Sequence, residues 1–259
     1  MIIDVNAYLG HWPFRKLNYN TADSLCELMA RNGVTRAWVA MFEGIFYKDV
    51  QTANRDLADG AKGFEDRLKP VAVINPSFPG WRDDLTECVG ELGMTAVRLH
   101  PNYHNYTLVD DCFAELMDEA SARKLVVQIA ARASDERMHH WHVMVPPTDL
   151  APLGKAAEAH RDVPIVLCNV KQGDARRIEG GLESHDNVFI EIAHVESVNG
   201  VGELADGIGS RRVLFGSQAP YQYLKSAILK MQESDLSDEA RDDILFRNAQ
   251  RLEGGQSGG

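Results

Sequence analysis

The sequence lacks several features that would assign it to a specialised class of protein. Its four cysteines are widely spaced and form no Cys-x-x-Cys pair, which argues against a zinc ribbon or a disulfide framework and favours reduced thiols. No apolar run is long enough to span a bilayer, and no basic stretch leads into an apolar segment at the N-terminus as in a secretory signal. We therefore expect a cytoplasmic protein without a membrane partner.

Positive charge is also scarce. The 27 basic residues are outnumbered by 38 acidic ones, which gives a formal net charge of -11, and no Lys/Arg-rich run is present. Such a chain repels phosphate backbones, so we expect no nucleic acid partner. A hydrophobic content of 44% and a charged content of 25% are typical of a soluble globular protein. Glycine-rich phosphate loops are missing, which disfavours an open dinucleotide-binding sheet.

What is present is a regular alternation of short apolar runs and amphipathic segments. Eight runs rich in Val, Ile or Leu are predicted strands: 2–5, 37–41, 70–74, 96–99, 126–129, 165–168, 188–192 and 213–215. Helices are predicted between them, for example over 21–32, which Gly33 closes, and over 110–123. Eight such units predict an α/β fold, a single (β/α)8 TIM-like barrel over residues 1–253, with a flexible tail at 254–259.

In a barrel of this kind, chemistry is carried where strands end and the following loops begin. The strand ends supply a set of polar candidates, and residues two apart, such as Asn6 and Tyr8, share a strand face. The candidates are Asn6, Tyr8, Glu43, Asn75, Arg98, His100, Gln128, Arg132, Asn169, Glu191, His194, Gln218 and Tyr221. The long loop over 132–148, after the fifth strand, is expected to form part of the site wall.

Four stretches of the sequence resemble the amidohydrolase-related family. They are Ile-Asp-Val-Asn-Ala-Tyr-Leu-Gly at 3–10, Val-Arg-Leu-His-Pro at 97–101, Val-Leu-Phe-Gly-Ser-Gln-Ala-Pro-Tyr at 213–221 and Asp-Ile-Leu-Phe-Arg-Asn-Ala at 243–249. The resemblance spans nearly the whole chain in the expected order. It implies a mononuclear metal site with groups from strands one, five, six and eight, acting on amides, lactones or carboxylates.

The sequence departs from the family at each of those metal-site positions. The resemblance aligns the two first-strand histidines with Asn6 and Tyr8, the fifth- and sixth-strand histidines with Ala130 and Asn169, and the eighth-strand aspartate with Gln218. Neutral amides are weak zinc ligands and alanine supplies no donor atom. Gln218 also has no basic group to take a proton from water. We therefore predict no metal and no other cofactor at the usual position.

The remaining polar residues predict a different kind of site. We expect His100 to act in acid-base chemistry with Glu43 or Glu191, two carboxylates embedded in apolar sequence. The alternatives are a structural histidine and carboxylates paired with a barrel arginine such as Arg98. Predicted substrate contacts, suited to a small and perhaps anionic molecule, are Asn6, Tyr8, Arg98, His104, Gln128, Arg132, Asn169, Gln218 and Tyr221.

Two segments of the long loop have competing interpretations. Arg132 and Arg137, with Asp135 and Glu136 between them, could bind an anion or form an ion-paired turn. His139, His140 and His142 suggest a replacement metal site, but no carboxylate or cysteine completes it at helical spacing on the C-terminal side, so loop packing is favoured.

The sequence thus predicts a metal-independent, hydrolase-like enzyme for lactone, amide or decarboxylation chemistry on a small carboxylated substrate. Two alternatives stay open. One is a non-catalytic binding protein or subunit on the same barrel, and the other is a hydrolase with a relocated metal held by His100, Glu191 or His194. A homo-oligomer is compatible with the sequence.

Overall fold

The computed structural model describes residues 1–139, 142 and 144–255. Parallel strands form the barrel wall: β1 (Ile3–Leu9), β2 (Arg36–Met41), β3 (Leu68–Pro70), β4 (Ala72–Val73), β5 (Ala96–Leu99), β6 (Val126–Ala130), β7 (Ile165–Cys168), β8 (Val188–Glu191) and β9 (Val213–Leu214). The strands β3 and β4 are two halves of the third barrel strand, interrupted at Val71. The N–H of Val71 still donates to the carbonyl of Val39 at 2.8 Å, so the wall is continuous there.

The wall closes between β1 and the last strand. Val5 N–H donates to the carbonyl of Phe215 at 2.9 Å, and Tyr8 N–H donates to that of Ala219 at 2.8 Å. Every strand pair along the chain is parallel, in the order β1-β2-β3 and β4-β5-β6-β7-β8-β9. The fold is therefore the predicted (β/α)8 barrel, with its parallel strands buried on both faces.

Helices cover the outside of the barrel. They are α1 (Ala22–Arg31), α2 (Glu43–Phe46), α3 (Gln51–Gly60), α4 (Trp81–Gly90), α5 (Pro101–His104), α6 (Asp111–Ala122), α7 (Leu153–Ala159), α8 (Gln172–Ala175), α9 (Gly200–Ile208), α10 (Leu224–Glu233), α11 (Asp238–Asp242) and α12 (Asn248–Gly254). A π-helical stretch over Asp243–Arg247 joins α11 to α12. Thr21 caps α1, and Gly33 follows it with a φ of 73°, so this helix starts and stops where its sequence predicts.

The first strand is longer than predicted. It runs to Leu9, whereas the apolar run in the sequence stops at Val5 because Asn6 follows. Asn6 is nevertheless buried, and the pairing of β1 with β2 shifts register between Asp4 and Ala7. This irregularity keeps the backbone in the wall while polar side chains enter the barrel.

The barrel interior is a packed core closed at both ends. Alternate strand residues such as Val5, Val126 and Val166 fill its centre, and Ala249 and Leu252 of α12 close the N-terminal end. A separate aromatic cluster closes the C-terminal end. The core therefore leaves the polar strand ends in a thin layer between two apolar ones.

The residues that the structure describes end within the predicted tail. Gly254 is the last residue of α12, and residues 256–259 lie outside the described residues, so the tail and the domain limits stay predictions. No helix in the described part of the chain combines the length and apolar character needed to cross a membrane.

Candidate active site

A layer of polar side chains lies at the C-terminal ends of the barrel strands. We call it the barrel-mouth layer; each of its side chains is at most 1% exposed. Its members are Asn6, Tyr8, Arg98, His100, Gln128, Asn169, Glu191, His194 and Gln218. Buried polar groups need hydrogen-bond partners, so the partners that are made and missing define what the layer can do.

One group in this layer is a closed hydrogen-bond network around Glu191. Asn6 Nδ2 donates to Asn169 Oδ1 at 2.8 Å and to Glu191 Oε1 at 3.1 Å. The other carboxylate oxygen of Glu191 accepts the N–H of Ala193 at 2.6 Å, and the backbone N–H of Asn169 also donates to this carboxylate. Burial raises the pKa of Glu191, and these donors oppose the rise. Glu191 thus joins three strand ends, and both of its oxygens are occupied.

Below this network, Asp4 joins the first and last strands. Its Oδ1 accepts the N–H groups of Asn6 at 3.0 Å and Ser217 at 3.1 Å, and its Oδ2 meets the hydroxyl of Ser217. Burial raises the pKa of Asp4 from 3.8 to about 7, against the effect of these donors. Sequence reasoning missed this residue, although an acid between Ile3 and Val5 in an apolar run was a visible signal.

Arg98 is a guanidinium anchored inside the barrel. It donates to Gln128 Oε1 at 2.7 Å and to the carbonyls of Ala7 and Val5, both at 3.2 Å. Gln128 in turn donates to the carbonyl of Val5 at 2.8 Å. The guanidinium also lies 4.6 Å from the centre of the Tyr8 ring. Arg98 and Gln128 therefore hold the irregular part of β1, and their predicted substrate contacts have to compete with these bonds.

His100 is different because its ring atoms have no partner. Neither Nδ1 nor Nε2 finds a hydrogen bond among the described residues, and the ring is fully buried. Burial lowers its pKa well below the usual value, and the nearby His104 and Arg98 add to this. A neutral imidazole offers one N–H donor and one acceptor. His100 therefore has one donor and one acceptor that no described residue satisfies.

Two further polar atoms beside His100 are also unpartnered among the residues described. They are the hydroxyl of Tyr8 and Oδ1 of Asn6. The Tyr8 ring lies 6.5 Å from the His100 ring, centre to centre, and burial raises its pKa, so the phenol stays protonated. Together the three residues supply donors and acceptors without a net charge.

The carboxylate of Glu43 lies at the edge of the mouth, at the start of α2. Its Oε1 accepts the N–H of His11 at 2.8 Å, and its Oε2 is buried without a partner in the described part of the chain. A Cβ at Gly10 would lie 2.0 Å from that Oε2, and Gly10 has a φ of 88°. The left-handed φ favours glycine at this position, and the missing Cβ leaves room for the carboxylate.

Arg132 is committed to ion pairs rather than to an open anion site. It donates to Glu136 at 2.9 Å and to Asp174 at 2.5 Å, and also to the carbonyl of Asn169 at 2.6 Å. Arg137 pairs with Asp135 at 2.7 Å. These contacts match the ion-paired turn, which is one of the two interpretations that the sequence allows for this segment. The ion pairs fix the start of the long loop.

Other predicted residues take supporting positions. Gln218 Oε1 lies 2.9 Å from His194 Nε2, and its side-chain amide donates to the carbonyl of Ala133 at 2.8 Å. Its side chain therefore stays outside the network around Glu191, although its backbone N–H donates to the carbonyl of Asn6 at 2.7 Å. His139 Nε2 lies 2.7 Å from Ser134 Oγ, which agrees with loop packing. His140 lies outside the described residues.

An aromatic cover closes the mouth from above. The Phe42 ring stacks on Tyr8 at 4.5 Å, and Trp12 packs edge-on against Phe42 at 5.6 Å and against Tyr221 at 4.8 Å. The guanidinium of Arg15 lies 4.6 Å from the centre of the Tyr221 ring. These contacts join distant segments, and the sequence carried no signal for them except at Tyr221. The barrel-mouth layer is therefore enclosed in this structure.

Comparison with known proteins agrees with this architecture. The family model described as amidohydrolase matches residues 4–252. The chain belongs to the amidohydrolase family. A search of curated proteins found no match.

Solved structures of this fold include relatives of low sequence identity. A 2,6-dihydroxybenzoate decarboxylase from Rhizobium is 14% identical with a TM-score of 0.76, covering 97% of this chain and 98% of that one. A dihydroxybenzoic acid decarboxylase from Polaromonas sp. JS666, with bound manganese and the inhibitor 2-nitroresorcinol, is 14% identical with a TM-score of 0.73, covering 97% and 96%. The 4-oxalomesaconate hydratase from Rhodopseudomonas palustris is 17% identical with a TM-score of 0.72, covering 99% and 97%.

The residues of this amidohydrolase barrel do not fit a metal at the family position. Asn6, Tyr8, Asn169 and Gln218 supply only neutral oxygen or nitrogen atoms, and both oxygens of Glu191 already accept N–H groups. Across residues 1–139, 142 and 144–255, no group of three or more His, Cys, Asp or Glu side chains is placed to hold an ion. A divalent ion needs such charged or imidazole donors, so the side chains at this position are not suited to hold the metal expected for the family.

Proposed function

We propose that this amidohydrolase is an enzyme that acts on a small carboxylated substrate in the barrel-mouth layer without a metal at the family position. The observation that carries the proposal is His100, a fully buried imidazole with both nitrogens unpartnered among the described residues. Leaving such a group without a partner costs about 1–3 kcal/mol, a cost that a bound ligand would remove. A ligand that forms hydrogen bonds to His100 would therefore gain this free energy.

The chemistry that the barrel-mouth layer can supply to a bound ligand is neutral acid-base catalysis. His100 stays unprotonated because burial lowers its pKa, so its free nitrogen is available to accept a hydrogen bond from a substrate hydroxyl or from water. A substrate carboxylate beside the ring would raise that pKa and make the imidazole a better base. The Tyr8 hydroxyl can donate to an oxygen on which charge develops. Glu43, with one free oxygen at the edge of the mouth, is the second acid-base candidate, while Glu191 is better suited to holding Asn6 and Asn169 in place.

Decarboxylation, or hydrolysis of a lactone or amide, is the reaction class we propose. Relatives with this fold include decarboxylases named for dihydroxybenzoates and a hydratase named for 4-oxalomesaconate, which supports a small carboxylated substrate by analogy.

Entry to the mouth requires the aromatic cover to move. The segment that carries Trp12 is held by His11 at Glu43 and by Arg15 at Tyr221, and both anchors are near the protein surface. Gly10, with its φ of 88°, lies directly before the segment and can act as its hinge.

Activity measurements on metal-free protein test the proposal. Hydroxybenzoates, aryl lactones and aryl amides would be supplied with and without a chelator, and the metal content of the protein would be measured in parallel. We expect turnover that the chelator does not change and that His100→Phe abolishes. Tyr106→Phe is the matched control because it too removes a buried polar group without a partner among the described residues, but away from the mouth. Turnover that His100→Phe leaves intact would contradict the proposal.

A non-catalytic binding protein is the second candidate. The enclosed mouth and the fully occupied oxygens of Glu191 favour it, because a resting enzyme more often leaves an acid-base carboxylate free. A carboxylate that binds, depends on His100 and is never turned over would support this second function over the first.

A further inference from the structure

A lysine of β3 points into the barrel at its N-terminal end. Lys69 lies directly beside Trp38 in the pairing of β2 with β3, so the two side chains share one face of the wall. Trp38 belongs to the core cluster that fills the barrel interior together with Val5 and Val126. Lys69 is therefore an interior-facing residue of a barrel strand, a position where apolar side chains are the rule.

The ammonium group of Lys69 lies against a tryptophan ring, beside the last helix of the chain. Its Nζ is 4.5 Å from the centre of the Trp38 ring, in a cation–π contact. The indole N–H of Trp38 donates to Glu253 Oε1 at 2.8 Å, and Arg36 donates to Oε2 of the same carboxylate at 2.5 Å. Glu253 belongs to α12, the helix that closes this end of the barrel. Lys69 is thus part of a cluster of two cations, one carboxylate and one indole ring.

This cluster borders a cavity of about 570 Å³. Arg36, Lys69 and Glu253 line the cavity, together with the exposed Lys62. Its volume lies within the range of small-molecule sites, roughly 300–1,000 Å³. The lining includes the first residues of β2 and β3 and no member of the barrel-mouth layer, so the cavity lies at the opposite end of the barrel.

The two lysines of the cavity differ in their protonation. Burial lowers the pKa of Lys69 to about 8, while the charge of Glu253 opposes this change and that of Arg36 adds to it. A pKa near 8 leaves about a quarter of the amine neutral at pH 7.5. Lys62 pairs with Asp59 at 2.6 Å, which raises the Lys62 pKa, so under about a thousandth of its amine is neutral. Only the neutral amine is a nucleophile.

The size of the cavity limits the electrophile that can reach Lys69. A small molecule fits, whereas the active site of a transferase does not, so the electrophile has to be activated without a second enzyme. A small acyl phosphate, the mixed anhydride of a carboxylic acid and phosphoric acid, meets both conditions.

We infer that Lys69 is an acylation site, at which the amine takes the acyl group of a small acyl phosphate that enters this cavity. The amine attacks the carbonyl carbon, the C–O bond to phosphate breaks, and the phosphate leaves with the electron pair of that bond. The amine proton passes to solvent and an amide remains. The amide is uncharged, so acylation removes the cation from the face of Trp38. This site does not depend on the function proposed for the barrel-mouth layer.

Acetylation of the native chain by acetyl phosphate, followed by mass-spectrometric peptide mapping, tests the inference. At pH 7.5 we expect Lys69 to be acetylated at least about tenfold faster than Lys62, the matched control in the same cavity. The excess of neutral amine, more than about a hundredfold, outweighs the lower nucleophilicity that accompanies a lower pKa. In urea the two lysines should react at equal rates, because the unfolded chain gives both an ordinary pKa.

The pH dependence tests the contribution of the cluster. The acetylation rate of Lys69 should level off above about pH 8, whereas that of Lys62 should rise up to about pH 10. Glu253→Gln removes the charge that raises the Lys69 pKa, so its rate should level off at a lower pH, while Glu65→Gln, an exposed change in the same lining, should leave the profile unchanged. The inference is overturned if Lys69 reacts no faster than Lys62 in the folded chain, if its advantage persists in urea, if its rate rises up to about pH 10, or if the two variants behave alike.

Discussion

The carboxyl group of Asp4 makes the stability of the barrel depend on pH. Its pKa is raised by burial from 3.8 to about 7, although three donors surround it. Asp4→Asn should imitate the protonated acid, because the amide oxygen can accept the N–H groups of Asn6 and Ser217 while the amide nitrogen donates to the Ser217 hydroxyl. The variant has no charge to lose or gain.

The size of the effect follows from proton linkage. The unfolded chain releases the Asp4 proton near pH 3.8, whereas the folded chain keeps it to about 7. Between these values the folded state binds one more proton, so the free energy of unfolding falls by about 1.4 kcal/mol per pH unit. The total loss across the window is about 4 kcal/mol, complete above the folded pKa.

Urea unfolding followed by circular dichroism measures this difference. Asp4→Asn and the native chain should be about equally stable at pH 4, and at pH 8 the variant should be more stable by about 4 kcal/mol. Asp206→Asn, an exposed change on α9, should show no such trend. A variant that is less stable than the native chain at pH 8 would refute the reasoning, because it would mean that the donors outweigh burial and keep Asp4 ionised.

Three further substitutions test contacts of the site. Gly10→Ala should lower the free energy of unfolding by about 2–3 kcal/mol, because its φ is left-handed and its Cβ would clash with the Glu43 carboxylate. Gly33→Ala, which has a left-handed φ of 73° and open space, should cost only about 1 kcal/mol. Thermal unfolding measures both. Arg132→Met should cost about 3–5 kcal/mol, because it removes the side-chain partner of Asp174 and leaves Glu136 paired with Lys171 alone. The exposed Arg137→Met should cost under about 1 kcal/mol, and equal losses would contradict the ion-pair assignment. His100→Phe should stabilise the protein by about 1–3 kcal/mol in urea, and a loss of similar size would mean that the ring nitrogens are satisfied.

The barrel could be predicted from sequence because its evidence is local. Runs such as 37–41 and 165–168 are apolar on both faces, and that pattern belongs to parallel strands covered on both sides. The extent of β1 could not be predicted in this way. Its second half is held by Phe215, Gln218 and Ala219, more than 200 residues along the chain, so the strand continues through the polar Asn6.

The strand-end rule also predicted which side chains gather at the mouth, but not what they bind there. Asn6, Tyr8 and His100 all lie in the barrel-mouth layer as their positions indicate. Arg132 has one partner that the sequence could predict and one that it could not. Glu136 is four residues away along the chain, whereas Asp174 comes from another loop.

We propose that neutral groups replace the metal centre of the family in this chain. The most direct test is the turnover rate of protein stripped of metal, verified by elemental analysis, before and after manganese or zinc is added back. We predict the same rate in all preparations. A rate that is absent from the stripped protein and restored by added metal would contradict the claim.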